Sequence, residues 1–160
     1  MSVTEPISTS RLVLTPLDVA DAVEMVGVLS DPALYVFTGG DPPTLAQLEE
    51  LYRLQAESTP LGDETWHNWI LRLDGTAIGY VQATVKGESA DLAWVVGIPW
   101  QGSGYATEAS EAVRDWLADR GTTRFSAHIH PDHSASQAIA TKLGLEPTGE
   151  FNGDGEMVWN

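Results

Sequence analysis

The stretch Gln101-Gly102-Ser103-Gly104-Tyr105-Ala106 decides the fold, because it joins an apolar strand pattern to an apolar helix pattern. Before it, residues 91–98 form a short run rich in β-branched side chains, which predicts a buried strand. After it, apolar residues recur at helical spacing from Ala109 to Leu117, and Gly121 follows as a stop signal. The predicted local order is strand, glycine loop, helix.

The glycine loop is suited to an anion. Glycines leave backbone N–H groups unscreened, and the first N–H groups of the following helix point the same way, with the positive end of its dipole. A glycine pair can equally form only a tight turn. Two other phosphate-binding loops do not match: a Walker loop needs lysine where Tyr105 stands, and a dinucleotide loop needs a third small residue where Thr107 stands.

One further pattern fits, since Gln101, Gly104 and Ala106 satisfy Gln/Arg-x-x-Gly-x-Gly/Ala. This pattern resembles the acyl-CoA pyrophosphate loop of the GNAT superfamily of N-acyltransferases. Residues 102–109 resemble more closely the branch of the RimJ/RimL-type ribosomal-protein N-terminal acetyltransferases. The resemblance implies an α+β (mixed α/β) fold: a twisted, mostly antiparallel sheet of six to seven strands, splayed between the fourth and fifth, with about four flanking helices.

Composition agrees with one domain over residues 1–160. The 160 residues are 42% hydrophobic, the range of an ordinary globular domain. Neither a membrane-spanning run nor a signal-peptide pattern is visible, so a cytoplasmic protein is expected. The absence of cysteine excludes disulfides, a thiolate nucleophile and a thiolate metal site.

The net charge of −15 bears on the partners. Such a surface repels nucleic acid and anionic lipid, and it favours cationic partners, although solubility alone also explains it. In the resemblance, the first two helices wall the acceptor site. That region is rich in acidic residues: Asp31, Asp41, Glu49, Glu50, Glu57, Asp63 and Glu64. A cationic amine acceptor is therefore expected. A solvated helix face is the alternative explanation for most of these carboxylates.

The remaining elements follow from local signals. A helix is predicted from an Asp18 cap to the Asp31-Pro32 break, and a second begins at a capping box of Thr44 and Gln47. Asp74-Gly75 is a strong hairpin signal. The last helix is predicted to start at a capping box of Ser134 and Gln137, and the other strands span 11–17, 66–73, 76–85, 124–130, 145–151 and 155–159.

A second signature supports the resemblance. His133-x-x-Ser136 and Lys142-Leu143-Gly144-Leu145 resemble Asn-x-x-Ser and Lys-Leu-Gly-Phe of the superfamily. The asparagine, which typically contacts the pantetheine arm, is His133 here. Ala140 replaces the tyrosine that acts as general acid in many members, which leaves Ser136 as the substitute donor to the departing thiolate. A first-turn residue that satisfies a free N–H explains Ser136 equally well.

The resemblance implies a site for acetyl-CoA as cosubstrate. A main-chain N–H near Val96 would polarise the thioester carbonyl, and Lys142 and Arg114 are the plausible basic helpers. Glu108 is a second catalytic candidate, either as a base through water or as an orienting group, with a purely structural hydrogen bond as the alternative. The implied cofactor-binding residues are Val96, Ile98, Gln101, Gly102, Ser103, Gly104, Tyr105, Ala106, His133, Ser136 and Lys142.

Other chemistries fit less well. His128, His130 and His133 invite a metal site, since residues two apart on a strand face the same way, but only Asp132 stands beside them and no metal is expected. A serine hydrolase would need a serine in a G-x-S-x-G elbow. Trp66 and Trp69 are candidates for an acceptor pocket, with core packing as the alternative.

Two functions therefore remain. The first is acetyl transfer to a primary amine, either a protein N-terminal α-amine or a small-molecule amine, by direct attack in a ternary complex. The second is an acyl-CoA-binding sensor or interaction module of the same fold without turnover. A homodimer is left open. An α-amine, with a pKa of about 7.7–8.0, needs less help from a base than a lysine amine near 10.4.

Overall fold

The computed structural model describes residues 3–57 and 62–160, which form four α-helices and eight strands. The strands lie in one sheet in the order β1-β2-β3-β4-β5-β6-β8-β7. They span β1 (Ile7–Ser8), β2 (Val13–Pro16), β3 (Glu64–Leu73), β4 (Thr76–Lys86), β5 (Ser89–Val96), β6 (Arg124–Ile129), β7 (Pro147–Phe151) and β8 (Met157–Trp159). The helices span α1 (Ala22–Val28), α2 (Leu45–Glu57), α3 (Tyr105–Ala118) and α4 (Ser134–Lys142). Among the described helices, none has the length and apolarity to cross a membrane.

The sheet opens between β5 and β6. Every other neighbouring pair is antiparallel, whereas β5 and β6 run parallel because α3 crosses between them. Their pairing runs from Ser89–Arg124 to Asp91–Ser126 and then stops, while β6 pairs with β8 from Ala127 onward. The predicted splay between the strand before the glycine loop and the next strand is confirmed.

Tight hairpins align the strands that lead to the splay. Asp74 and Gly75 have φ of 50° and 85°, the positive values that a two-residue hairpin turn with the natural strand twist requires. The Asp-Gly hairpin prediction is therefore confirmed. A second two-residue turn joins β4 to β5, whose register runs from Lys86–Ser89 to Gly79–Val96.

The two faces of the sheet bury separate groups of side chains. Successive residues of a strand point to opposite faces, so Leu71 packs with α3 and α4 whereas Ile70 packs with α1 and α2. The second group includes Met25, Leu48 and Tyr52, each under 5% exposed. Helices α1 and α2 therefore cover one face of β3 and β4.

Three predictions need correction. The structure has eight strands where six to seven were predicted, because the two-residue β1 is too short to show a sequence periodicity. The strand predicted to reach Ile98 ends at Val96, and Ile98 lies in a 3₁₀ turn with Pro99, whose ring removes a donor from any ladder. Asp18 caps as predicted, but a 3₁₀ turn precedes α1, which ends at Val28.

Candidate functional site

The glycine loop presents an uncapped helix end. Gly102 and Gly104 have φ of 82° and 84°, left-handed values that other residues rarely adopt. Gly104 is the N-cap of α3 and brings no side-chain acceptor to the first turn. The first N–H groups of α3 therefore lack the usual capping partner and are open to an anion.

Gln101 fixes the loop to the end of β5. Its Nε2 donates to the carbonyl of Val96 at 2.9 Å. Arg11, which the sequence reasoning missed, lies on the loop as well: its guanidinium is 4.4 Å from the centre of the Tyr105 ring. An added Cβ on Gly104 would lie 3.4 Å from Nη2 of the same arginine. The guanidinium, which is paired with Glu108, thus lies beside the uncapped helix end.

The last residue of β5 turns its backbone toward the splay. The N–H of Gly97 donates to Ile78 O at 2.8 Å, which makes the two a hydrogen-bonded pair of the antiparallel ladder. Such pairs alternate with non-hydrogen-bonded pairs, so the N–H and C=O of Val96 point away from β4. The carbonyl receives Gln101 and the N–H faces the gap between β5 and β6.

A cavity of about 740 Å³, here called the splay cavity, fills this gap. It extends from the glycine loop to the start of α4. The structure brings together all of the predicted cofactor-binding residues except Ser103: Val96, Ile98, Gln101, Gly102, Gly104, Tyr105, Ala106, His133, Ser136 and Lys142 line it. Ser103 and Glu108 are not among the described lining residues.

Glu108 is engaged by the N-terminal segment. Its Oε2 accepts hydrogen bonds from Thr9 Oγ1 at 2.5 Å and Arg11 N at 2.9 Å, and its Oε1 accepts from Arg11 Nε at 2.7 Å. Burial of the carboxylate raises its pKa, but these bonds outweigh burial and hold the pKa of Glu108 below its usual value. This geometry favours the structural role over that of a base.

His133 caps α4. Its Nδ1 accepts the N–H of Ser136 at 3.3 Å. The predicted capping box of Ser134 and Gln137 is wrong, because Ser134 is already the first residue of the helix and Gln137 Nε2 instead donates to Pro131 O at 2.6 Å. An imidazole nitrogen thus performs the capping role that the sequence pattern assigned to a hydroxyl.

The Ser136 hydroxyl receives two hydrogen bonds. Burial, with a smaller contribution from His130, lowers the pKa of His133, so its ring is neutral at pH 7. Because Nδ1 accepts, the proton lies on Nε2 and donates to Ser136 Oγ at 3.1 Å. Trp94 Nε1 donates to the same oxygen at 3.3 Å. The serine proton is then left to donate into the splay cavity.

Phe37 covers the start of α4. Its ring stacks on His133 with centroids 4.5 Å apart, and it tilts against His130 at 5.2 Å. The segment after the first helix therefore closes one side of the splay cavity. Neither Phe37 nor Trp94 was predicted at the site, since Phe37 contacts residues nearly a hundred positions away and carries no local motif.

Each histidine of the suspected metal cluster has another partner. His128 Nδ1 lies 3.0 Å from Asp91 Oδ1, and His130 Nδ1 accepts the N–H of Asp132 at 3.0 Å. Within residues 3–57 and 62–160, the structure shows no group of three potential ligands that could hold a metal ion. Of the two basic helpers, Lys142 lines the splay cavity, whereas Arg114 donates to Leu143 O at 3.0 Å.

A second cavity of about 220 Å³, here called the side cavity, lies on the α1–α2 face of the sheet. It shares Leu34 and Val95 with the splay cavity, so the two adjoin at β5. Trp69 borders it, but its ring packs on the opposite face of the sheet, with its centroid 5.3 Å from that of Trp116 in α3, so core packing holds for this residue. Trp66 is 37% exposed and bonds to Glu64. The described lining comprises Leu17, Leu29, Leu34, Tyr35, Thr38, Pro43, Leu48, Leu51, Tyr52, Gln55, Asn68, Trp69, Tyr80, Gln82 and Val95.

The acidic residues that were expected to wall an acceptor site do not line the side cavity. Asp31, Asp41, Glu49, Glu50, Asp63 and Glu64 are absent from its described lining, and the side chain of Glu57 lies outside the described part of the structure. Amphipathic surface helices such as α1 and α2 normally carry charged residues on the face that contacts water. The crowding of acidic residues in this part of the sequence therefore gives no support to a cationic acceptor.

Comparison with known proteins identifies a family and several proteins of similar sequence or structure. The family described as "Acetyltransferase (GNAT) domain" matches residues 11–146. An L-2,4-diaminobutyric acid acetyltransferase from Nocardia farcinica is 24% identical, over 90% of this chain and 79% of its own. Two solved structures share the fold. RimL, a ribosomal L7/L12 α-N-protein acetyltransferase, has a TM-score of 0.81 at 17% identity, covering 99% of this chain and 93% of its own. An aminoglycoside acetyltransferase, AAC(6')-Ib with coenzyme A, has a TM-score of 0.76 at 22% identity, covering 92% of each chain.

Proposed function

The chain belongs to the GNAT acetyltransferase family, and from that premise we propose that it transfers the acetyl group of acetyl-CoA to a primary amine. The acceptor is a protein N-terminal α-amine or a small-molecule amine. The observation that carries the proposal is the splay cavity, which connects an uncapped helix end to the Ser136 hydroxyl and adjoins the side cavity. A bound thioester and an amine can therefore meet at β5.

The residues of the splay cavity fit acetyl-CoA. The N–H groups from Gly102 to Ala106 suit the pyrophosphate, because the N-cap glycine supplies no competing acceptor. Lys142 adds a positive charge on the opposite wall. The gap between β5 and β6 would receive the pantetheine arm, with the inward N–H of Val96 and the imidazole of His133 as polar contacts.

The cosubstrate supplies an acetyl group activated as a thioester. In the proposed reaction the amine attacks directly, so that a C–N bond forms as the C–S bond breaks and no covalent enzyme species is needed. The Val96 N–H stabilises negative charge on the carbonyl oxygen. Ser136 donates its proton to the departing sulfur, since Trp94 and His133 already fill its acceptor positions. The proton that the amine nitrogen loses on forming the amide returns through water to the serine oxygen.

The acceptor enters from the side cavity. Val95 and Leu34 border both cavities, so an amine at this junction lies beside the gap that receives the thioester. A free α-amine is appreciably neutral near pH 7.5, and the fraction that is still protonated can give its ammonium proton to water before it attacks. This matches a site in which Glu108 is already bonded to Thr9 and Arg11.

A thermal-shift titration tests the donor site. Acetyl-CoA at about 100 times its dissociation constant should stabilise the fold by roughly 2.7 kcal/mol, and NAD should not. Gly104→Ala should weaken acetyl-CoA binding, because a Cβ is strained at φ of 84° in the cradle. Gly87→Ala is the matched control, with φ of 59° in a hairpin turn away from the loop.

Turnover separates the enzyme from a sensor. Release of CoA in the presence of primary amines would establish the transferase. Binding of acetyl-CoA without CoA release over α-amines and small-molecule amines would instead support the non-catalytic alternative. An unchanged melting temperature with saturating acetyl-CoA would refute both, since the loop would then be only a turn.

A further inference from the structure

The side cavity is uncharged. Its walls are aliphatic and aromatic, and its polar groups are amides and hydroxyls. Among the residues that the structure describes, no carboxylate, lysine or arginine lines it. A polyamine or another polycation would leave its charges unpaired there, which is costly in a site of low dielectric. The chemistry of the walls therefore favours a neutral group.

Two polar atoms in this wall have no hydrogen-bond partner in residues 3–57 and 62–160. Tyr52 is 4% exposed, and neither its hydroxyl nor Gln55 Oε1 makes a hydrogen bond within the described part of the protein. The two side chains lie three residues apart on α2 and so share one face of the helix. Buried polar atoms are nearly always paired, so this pair points to a ligand with a donor for Gln55 and an acceptor for Tyr52.

The hydroxyl groups of the wall are neutral donors. Burial, with a smaller effect of Tyr35, raises the pKa of Tyr80 to about 12. Burial likewise raises the pKa of Tyr52, with smaller effects of Tyr80, Asp21 and Tyr35. Asp21 Oδ1 lies 2.8 Å from Nη2 of Arg72, which also pairs with Glu24. Because their pKa values are raised, the hydroxyls of Tyr52 and Tyr80 stay protonated at pH 7 and can donate hydrogen bonds.

The dimensions limit the occupant to about one ring. An apolar cavity of about 150 Å³ in another protein holds benzene. The side cavity, at about 220 Å³, is larger by about the volume of a short substituent. Tyr35, Tyr52 and Tyr80 supply aromatic surface, and aromatic rings pack favourably against one another.

We infer that the acceptor is a primary amine that carries a single uncharged aromatic ring with a hydroxyl group. The ring lies in the side cavity, its hydroxyl donates to Gln55 Oε1 and accepts from Tyr52, and the amine lies at the Val95 junction. This inference rests on the proposed function, because the junction is reactive only when acetyl-CoA is bound. The ammonium form of the amine and acetyl-CoA give the N-acetylated amine, CoA and a proton, which the amine nitrogen loses before it attacks.

The test compares matched amines on the full chain at saturating acetyl-CoA. Tyramine and phenethylamine differ by one hydroxyl, and putrescine is a dication without a ring. We expect kcat/KM for tyramine to exceed that for phenethylamine by about tenfold, since the analogue without a hydroxyl leaves buried polar groups unpaired. Putrescine should be the poorest of the three.

Tyr52→Phe isolates the contact. It should reduce the tyramine-to-phenethylamine ratio to about two- or threefold, by lowering kcat/KM for tyramine and raising kcat/KM for phenethylamine, whose complex then leaves one buried polar atom fewer unpaired. Its melting temperature should not fall, because the deleted hydroxyl has no hydrogen-bond partner among the described residues. Glu50→Gln is the control on the exposed face of α2, outside the cavity, and should leave the ratio intact.

The outcomes distinguish this inference from the proposed function. Preferred turnover of putrescine, or a ratio that Tyr52→Phe leaves unchanged, would overturn the ring inference while acetyl transfer stands. Binding of acetyl-CoA with no turnover of either ring-bearing amine would also overturn it. Loss of acetyl-CoA binding itself would instead refute the proposed function.

Discussion

At the scale of single residues, Ser136 is the group whose chemistry depends most on its neighbours. Two N–H donors, from Trp94 and His133, occupy its oxygen at 3.3 and 3.1 Å, which directs its proton elsewhere. The same donors stabilise the oxygen as its proton leaves, so they favour donation to a thiolate. An isolated serine on a first helical turn would have no such bias.

Ser136→Ala should therefore lower kcat by about 10- to 100-fold with a small change in KM for acetyl-CoA. This decrease in kcat is at or below the smallest rate contribution usual for a general acid, about 100-fold, because a thiolate is already a good leaving group. Steady-state CoA release measures both constants. Thr141→Ala, on an exposed turn of the same helix, is the control that should retain full activity. An unchanged kcat in Ser136→Ala would remove Ser136 from the mechanism.

Glu108→Gln tests the alternative candidate. Hydrogen bonds from Thr9 and Arg11 hold the pKa of Glu108 below its usual value, so the ionised carboxylate stabilises the folded state above about pH 4.5. That stabilisation is lost as pH falls through the folded pKa. At pH 7 the variant should be less stable by about 1–2 kcal/mol, since Arg11 is partly exposed, and the difference should shrink toward pH 3.

Urea unfolding at several pH values checks this expectation. Glu111→Gln, one turn later on α3, is the matched control, because the structure gives its carboxylate no hydrogen bond among the described residues. A Glu108→Gln protein with wild-type stability and lost turnover would contradict the structural role and restore that of a base.

At the scale of elements, the approach of β4 to β5 positions both cavities. A Cβ on Gly79 would lie 2.2 Å from the carbonyl oxygen of Val95 and 2.9 Å from the Cα of Val96. Only glycine allows this spacing, and it sets the residues that border the splay and side cavities. A glycine inside a strand is a recognised sign of close backbone approach, although the strand pattern alone did not single out Gly79.

Gly79→Ala should displace the end of β5. We expect a loss of about 2–4 kcal/mol in the free energy of unfolding, together with at least tenfold weaker acetyl-CoA binding. Urea unfolding and a binding titration measure the two effects. Gly153→Ala is the control, because an added Cβ there meets nothing within 4 Å. Wild-type affinity for acetyl-CoA in Gly79→Ala would show that the end of β5 does not shape the donor site.

The sequence predicted those elements whose cause is local. Asp74-Gly75 forms its turn because both residues tolerate positive φ, and the glycine loop ends in a helix whose apolar spacing is visible. The capping of α4 by His133 was missed because imidazole is not among the usual capping groups. The contacts of Phe37 with His133 and of Thr9 with Glu108 join residues about a hundred positions apart, which no local pattern encodes.

At the scale of the whole molecule, the negative net charge of the chain opposes the binding of its proposed cosubstrate. The chain carries −15, yet its proposed cosubstrate is a polyanion. Lys142 on the splay cavity is a local exception to a repulsive field, whereas Arg11 beside the loop is paired with Glu108 at 2.7 Å. Short-range N–H groups must then supply most of the affinity, while the long-range field works against encounter.

Ionic strength should separate these two contributions. The Debye length falls from about 30 Å at 0.01 M salt to about 8 Å at 0.15 M, so added salt screens the distant carboxylates more than the contacts inside the splay cavity. We therefore expect KM for acetyl-CoA to fall about two- to threefold over this range. KM for a ring-bearing monoamine should change little, and KM for putrescine should rise. Steady-state kinetics measures the effect. The change in KM should be the same in two different monovalent salts, because screening depends on ionic strength and not on the identity of the ion. A KM for acetyl-CoA that rises with salt would mean that Lys142 dominates the field at the site, and that the acidic surface plays no part in cosubstrate capture.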